Sequence, residues 1–78
     1  MTDKILNCIC SVFDLDRESV TSEISQSDVE GWDSIGSIQV ILCLEEEFGV
    51  SISPEVGRRM IGCKEIEVEL QKLGVVTR

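Results

Sequence analysis

The apolar residues of this chain recur at three- and four-residue steps, first at Ile5, Leu6, Ile9, Cys10, Val12 and Phe13, then at Ile35, Ile38, Ile41, Leu42, Leu44 and Phe48. That period lines one face of a helix and does not fit a strand, so the chain is directed toward a helical architecture. The first helix is expected over Thr2–Phe13, with Thr2 or Asp3 as N-cap. The second is expected to start at Asp33 or Ser34 and to end at Phe48, with Gly49 just beyond it as a natural terminator. Pro54 suits the first turn of a short third helix over residues 55 to 60, which Gly62 is expected to end. In residues 63–73, Ile66, Val68 and Leu70 alternate with Glu65, Glu67 and Glu69, which by itself spells a strand. Helix is still expected there, because Ile66, Leu70 and Leu73 also fit helical spacing and no partner strand exists elsewhere. Residues 14–33 are rich in Asp, Ser, Thr and Glu, and read as a long loop anchored by Val20, Ile24 and Val29. The fold class is therefore all-α, with a long first loop and a short third helix, and residues 1–78 read as one domain.

Size and composition remove several kinds of function. With 78 residues and no histidine or tyrosine, the chain lacks the usual near-neutral general base and the room for an elaborate buried site. No catalytic residue and no metal site is expected. Asp14, Asp16 and Glu18 imitate the opening of a calcium loop, but Ser19 stands where that loop needs Gly and Ser25 where it needs a bidentate Glu. The net charge is −8, and no Lys or Arg lies between Arg17 and Arg58. Such a block repels nucleic acid and anionic membranes and draws in basic protein surfaces, although acids also simply keep a small domain soluble. The longest apolar run, from Val40 to Leu44, is too short to cross a membrane, so no membrane insertion is expected. Cys8, Cys10, Cys43 and Cys63 each stand within or beside apolar residues, and the first residues do not read as a signal peptide. They read as reduced core thiols of a cytoplasmic protein.

Two features carry functional content. Glu45, Glu46 and Glu47 crowd the last turn of the second helix, where negative charge opposes the macrodipole and no basic residue stands nearby in sequence to offset it. Ser34 stands at the mouth of that helix, after Asp33 and before Ile35. Unpaired N–H groups at a helix start favour an attached anion, and a loop-helix junction leaves the hydroxyl accessible.

The order Asp33-Ser34-Ile35, then Ile38, Val40 and Ile41, then Leu44-Glu45-Glu46-Glu47-Phe48, with Val50, Ile52 and Pro54 downstream, resembles the signature of acyl carrier proteins. The resemblance is dense over residues 29–54 and extends more loosely to nearly the whole chain. It implies a four-helix bundle of acyl-carrier type, in which Ser34 receives 4′-phosphopantetheine from coenzyme A through a separate phosphopantetheinyl transferase. It also implies that Asp33 helps position the incoming enzyme and its metal, and that Ile35, Ile38 and Leu42 form an apolar rim around the arm and partner contact, although for Ile38 and Leu42 a place in the core fits the helical spacing equally well. Glu45, Glu46 and Glu47 would meet Arg and Lys of acyl-transferring and chain-modifying enzymes with basic docking surfaces. The implied function is to hold acyl or related intermediates as thioesters for fatty-acid, polyketide or other specialised biosynthesis, as a monomeric carrier and not as an enzyme. An aminoacyl, peptidyl or D-alanyl carrier remains open within the fold, and an unmodified protein-interaction adaptor remains open outside the carrier class. Gly36 and Gln39 stand where fatty-acid carriers usually have acids, which suggests a specialised carrier with a loosened helix start. Arg58 and Arg59 also depart from the acidic third helix of those carriers, and are expected to pair with Glu55 or with the second helix.

Overall fold

The computed structural model describes residues 1–75, so the last three residues of the expected domain lie outside it. Among the described residues the chain forms four α-helices: α1 over Thr2–Phe13, α2 over Ser34–Phe48, α3 over Pro54–Arg59 and α4 over Cys63–Lys72. The all-α expectation and the order of elements therefore hold, including helix for the segment whose alternation spells a strand.

The amphipathic pattern of α1 becomes a buried face: Ile5 and Ile9 are fully buried, with Leu6, Cys8 and Cys10 beside them. The expected cap does not form. Met1 is the N-cap and makes no side-chain cap bond, while Thr2 and Asp3 lie inside the first turn. Their side chains serve other contacts, Asp3 with Arg17 at 3.0 Å and Thr2 Oγ1 donating to Glu67 Oε2 at 3.4 Å. At the other end Asp14 takes the left-handed conformation at φ 54, and its N–H closes the helix on the Cys10 carbonyl. Asp tolerates that region better than most residues.

The long loop is ordered by two short 3-10 turns, Arg17–Ser19 and Gln26–Asp28, and by three anchors: Val20 and Val29 are buried and Ile24 half-buried. It is also stitched to the α3–α4 connection. Gln26 N–H donates to the Ile61 carbonyl at 2.7 Å and Cys63 N–H to the Ile24 carbonyl at 3.0 Å. Gly62 does not end α3, as the sequence suggests; Met60 is the C-cap, and Gly62 is the N-cap of α4 and pairs with Ser25 in an isolated bridge.

α1 packs on α2 and α4, and α3 spans the gap between α2 and α4. Leu44 and Val40 from α2 meet Ile66 and Leu70 from α4 in the buried cluster around Ile5 and Ile9. At about 0.8 kcal/mol per buried CH₂, this cluster is the main favourable term in a domain this small. The third-helix arginines do not pair as expected. Arg59 reaches Glu69 on α4 at 3.1 Å, and Lys72 closes on the same carboxylate at 3.5 Å. Glu69 is only 5% exposed, and these two cations are what make its burial tolerable.

Candidate functional site

Asp33 sets the start of α2. Its Oδ1 accepts from the N–H groups of Ile35 and Gly36, both at 3.1 Å, and its carbonyl accepts from Ser37 N–H at 2.8 Å. Asp33 is thus the N-cap, and Ser34 is the first helical residue. Its exposed hydroxyl makes no hydrogen bond to any described residue. The anion seat inferred from sequence is only partly present, because the Asp33 carboxylate already occupies two of the helix's first N–H donors.

Behind this junction the packing is tight. Gly31 turns at φ 92, Trp32 is buried with its ring 5.3 Å from that of Phe13, and the Trp32 N–H has no partner among the described residues. Gly36 is buried against the same surface. A Cβ there would overlap the Gly31 carbonyl oxygen and come within 2.8 Å of the Phe13 ring. Gly36 therefore does not loosen the helix start; it lets α2 approach the loop and α1 closely.

Ser34 opens onto a groove of about 400 Å³ between α2 and α3, lined among others by Ser37, Ile38, Ile41, Gly57, Arg58 and Ile61. Arg58 is the cation of this groove and has no ion pair among the described residues, unlike its neighbour Arg59. A larger depression of about 510 Å³ lies under the long loop, between Asp14 and Val29, away from Ser34.

Ile35, Ile38 and Leu42 stand at steps of three and four on one face of α2, with exposures of 69%, 56% and 58%. Large apolar side chains in such a row are out of place in a core helix and fit a contact surface. Ile61, 46% exposed, lines the groove together with Ile38.

The three glutamates are not equivalent. Glu45 is half-buried, and its Oε2 accepts from Ile52 N–H at 2.7 Å, which ties the end of α2 to the segment leading into α3. Glu46 and Glu47 are exposed, and no ion pair reaches either among the described residues. Sequence reasoning missed Arg58 and Ile61 as groove residues. Ile61 had a signal: it is an isoleucine between the third and fourth apolar segments that fits neither helical face.

A family description, "Phosphopantetheine attachment site", matches residues 3–56. Over 58 residues the chain is 33% identical to the acyl carrier protein of Thermosynechococcus vestitus, a stretch covering 74% of this chain and 72% of that protein. Over 52 residues it is 35% identical to "Acyl carrier protein 2, mitochondrial" of Arabidopsis thaliana, covering 67% of this chain and 41% of that longer protein. No described helix is long and apolar enough to cross a membrane.

Proposed function

The chain belongs to the phosphopantetheine-attachment family that includes the acyl carrier proteins, whose prosthetic group is covalent 4′-phosphopantetheine, and we propose that it carries this arm on Ser34 and presents acyl-type cargo to biosynthetic enzymes. The observation that carries the assignment is the Ser34 hydroxyl, exposed and without a partner at the first position of α2, beside a groove.

The residues present fit the group. A phosphodiester on Ser34 would stand next to the Asp33 carboxylate, and Arg58 offers the compensating charge. Gln26 and Ser37 offer polar contacts for the arm's amides, and Ile38, Ile41 and Ile61 an apolar wall. When attached, the arm supplies a terminal thiol on which cargo is held as a thioester. The chain's own residues position and present: Asp33 fixes the helix start and therefore the direction of the Ser34 hydroxyl. Ile35, Ile38 and Leu42 offer apolar contact to a partner, and Glu46 and Glu47 attract its basic residues. Activation of the hydroxyl falls to the transferase, because this chain has no base able to deprotonate Ser34 at neutral pH. In this reading residues 1–78 act as one carrier domain and are substrates of enzymes, performing no catalysis themselves.

The experiment is intact-mass analysis after incubation with coenzyme A, magnesium and a promiscuous phosphopantetheinyl transferase. Wild type is expected to gain one arm and Ser34→Ala none. No gain with several transferases would leave the adaptor reading in its place.

A further inference from the structure

Outside the Ser34 site, one side-chain cluster has a geometry its neighbours do not explain. Cys8 of α1 and Cys43 of α2 place their sulfurs 2.7 Å apart. That is inside the contact distance of two non-bonded sulfurs and within ~0.7 Å of a disulfide bond length. Cys10 and Cys63 have no such partner among the described residues. The pair lies where α1 crosses α2, one residue along from the exposed Leu42.

We propose that Cys8 and Cys43 form an oxidisable pair, converted by an organic disulfide into an intramolecular bond that clamps α1 to α2 beside the apolar contact face. The two sulfurs have different parts. Cys8 is 3% exposed, whereas Cys43 is only partly buried and meets the oxidant first. Burial, and then the Cys43 contact, push the Cys8 thiol up to about 12, so Cys8 is a poor first nucleophile. Cys43 loses its proton to solvent and attacks one sulfur of the oxidant, whose S–S bond breaks and whose first half leaves as a thiolate. The Cys8 thiol then gives up its proton and attacks Cys43 Sγ, expelling the second half. The two cysteines lose two electrons and two protons, and the oxidant gains them as two free thiols.

The neighbourhood sets the class of oxidant. Glu46 and Glu47 both bear electrostatically on Cys8. A neutral or cationic disulfide is therefore expected to outpace an anionic one. Within the chain the bond would join residues 35 apart, which restricts the unfolded ensemble and raises thermal stability.

The test oxidises the full chain with cystamine and, separately, with glutathione disulfide, followed by intact mass and non-reducing peptide mapping. The expected product has lost two hydrogens and links the Cys8 and Cys43 peptides, with Cys10 and Cys63 still open to alkylation. Cystamine is expected to react several-fold faster than glutathione disulfide at low salt, and the oxidised chain to melt on the order of 10 °C higher than the reduced one. The Ser34→Ala chain should form the same bond, which separates this inference from the arm assignment and removes any arm thiol from the reaction. Cys43→Ser should stop the linkage and leave no stable adduct at Cys8. A bond mapped to any other pair, or mixed adducts that never resolve in wild type, would overturn the proposal.

Discussion

Asp33 and Ser34 are adjacent, yet the structure divides their work: Asp33 carries the helix start and Ser34 carries nothing internal. Ser34→Ala is therefore expected to change stability by no more than ~0.5 kcal/mol, the usual range for a surface change away from special features. Asp33→Ala removes the acceptor for two N–H groups and is expected to cost ~1 kcal/mol, together with slower arm attachment as the hydroxyl loses its fixed direction. Urea titration of both variants separates these outcomes; equal losses would mean that the serine is structural after all. Gly36 shows how a residue can mislead when read alone. As a helix-interior glycine it reads as weakness, and Gly36→Ala ought then to stabilise. The overlap with the Gly31 carbonyl and the Phe13 ring predicts the reverse, a loss of ~1–3 kcal/mol from overpacking. For the same reason an acid introduced at position 36 cannot serve as a clean probe of partner choice, and Gln39→Glu, on an exposed position of α2, is the usable half of such a test.

At the scale of elements, the acidic turn of α2 contains two functions that the sequence merges. Glu45→Lys breaks the bond to Ile52 N–H and is expected to destabilise by ~1–3 kcal/mol. Glu46→Lys and Glu47→Lys relieve charge at the negative end of the helix dipole, so they should leave stability unchanged or slightly raised while slowing reaction with basic partners. A uniform response of all three to substitution, in melting and in partner kinetics, would contradict this division. The α3–α4 latch adds a pH dependence. The Arg59 guanidinium, with Lys72 behind it, holds the Glu69 carboxyl below its ordinary range. Its folded form thus binds a proton less readily than its unfolded form, so the latch's contribution is complete above the ordinary carboxylate range and is lost as pH falls through the lowered value. Glu69→Gln is expected to flatten the acid limb of the stability curve relative to wild type, measured by thermal melts from neutral to acid pH. This latch shows the limit of legibility in the chain. Helical period exposed α1 and α2 from residues alone, and helix formers outweighed the alternation in α4. The partner of a charge, however, is set by tertiary approach, and no spacing between Arg59 and Glu69 advertises it. The groove cation Arg58, the loop-to-connection bonds of Gln26 and Cys63, and the contact of Cys8 with Cys43 were illegible for the same reason.

For the whole molecule, the question is how a net charge of −8 becomes a directed field. Most of the cations are spent inside the fold: Arg17 on Asp3, Arg59 and Lys72 on Glu69, and Lys64 on Glu23. Lys4 sits over the Phe48 ring, 5.9 Å from its centroid. Arg58 faces the groove at Ser34, and Glu46 and Glu47 at the exposed end of α2 make no ion pair among the described residues. The apolar row of Ile35, Ile38 and Leu42 runs between that acidic end and the serine. A partner with basic residues would then be drawn first to the far end of the helix and held by apolar contact along it, with its active site at Ser34. Steering of this kind acts on the encounter rate and is screened over a Debye length of about 8 Å at physiological salt. The apolar contact, by contrast, is insensitive to ionic strength over the same range. The second-order rate of arm transfer to wild type is therefore expected to fall ~10-fold or more from low to high salt. In a Glu46→Gln, Glu47→Gln double variant the low-salt rate should drop toward the wild-type high-salt value, and the dependence should flatten. An Ile35→Ala variant should be slower by a similar factor at every salt concentration, because it loses contact and not charge. Parallel salt profiles for wild type and the double variant would place the steering charge elsewhere on the molecule and remove the acidic end of α2 from the docking path.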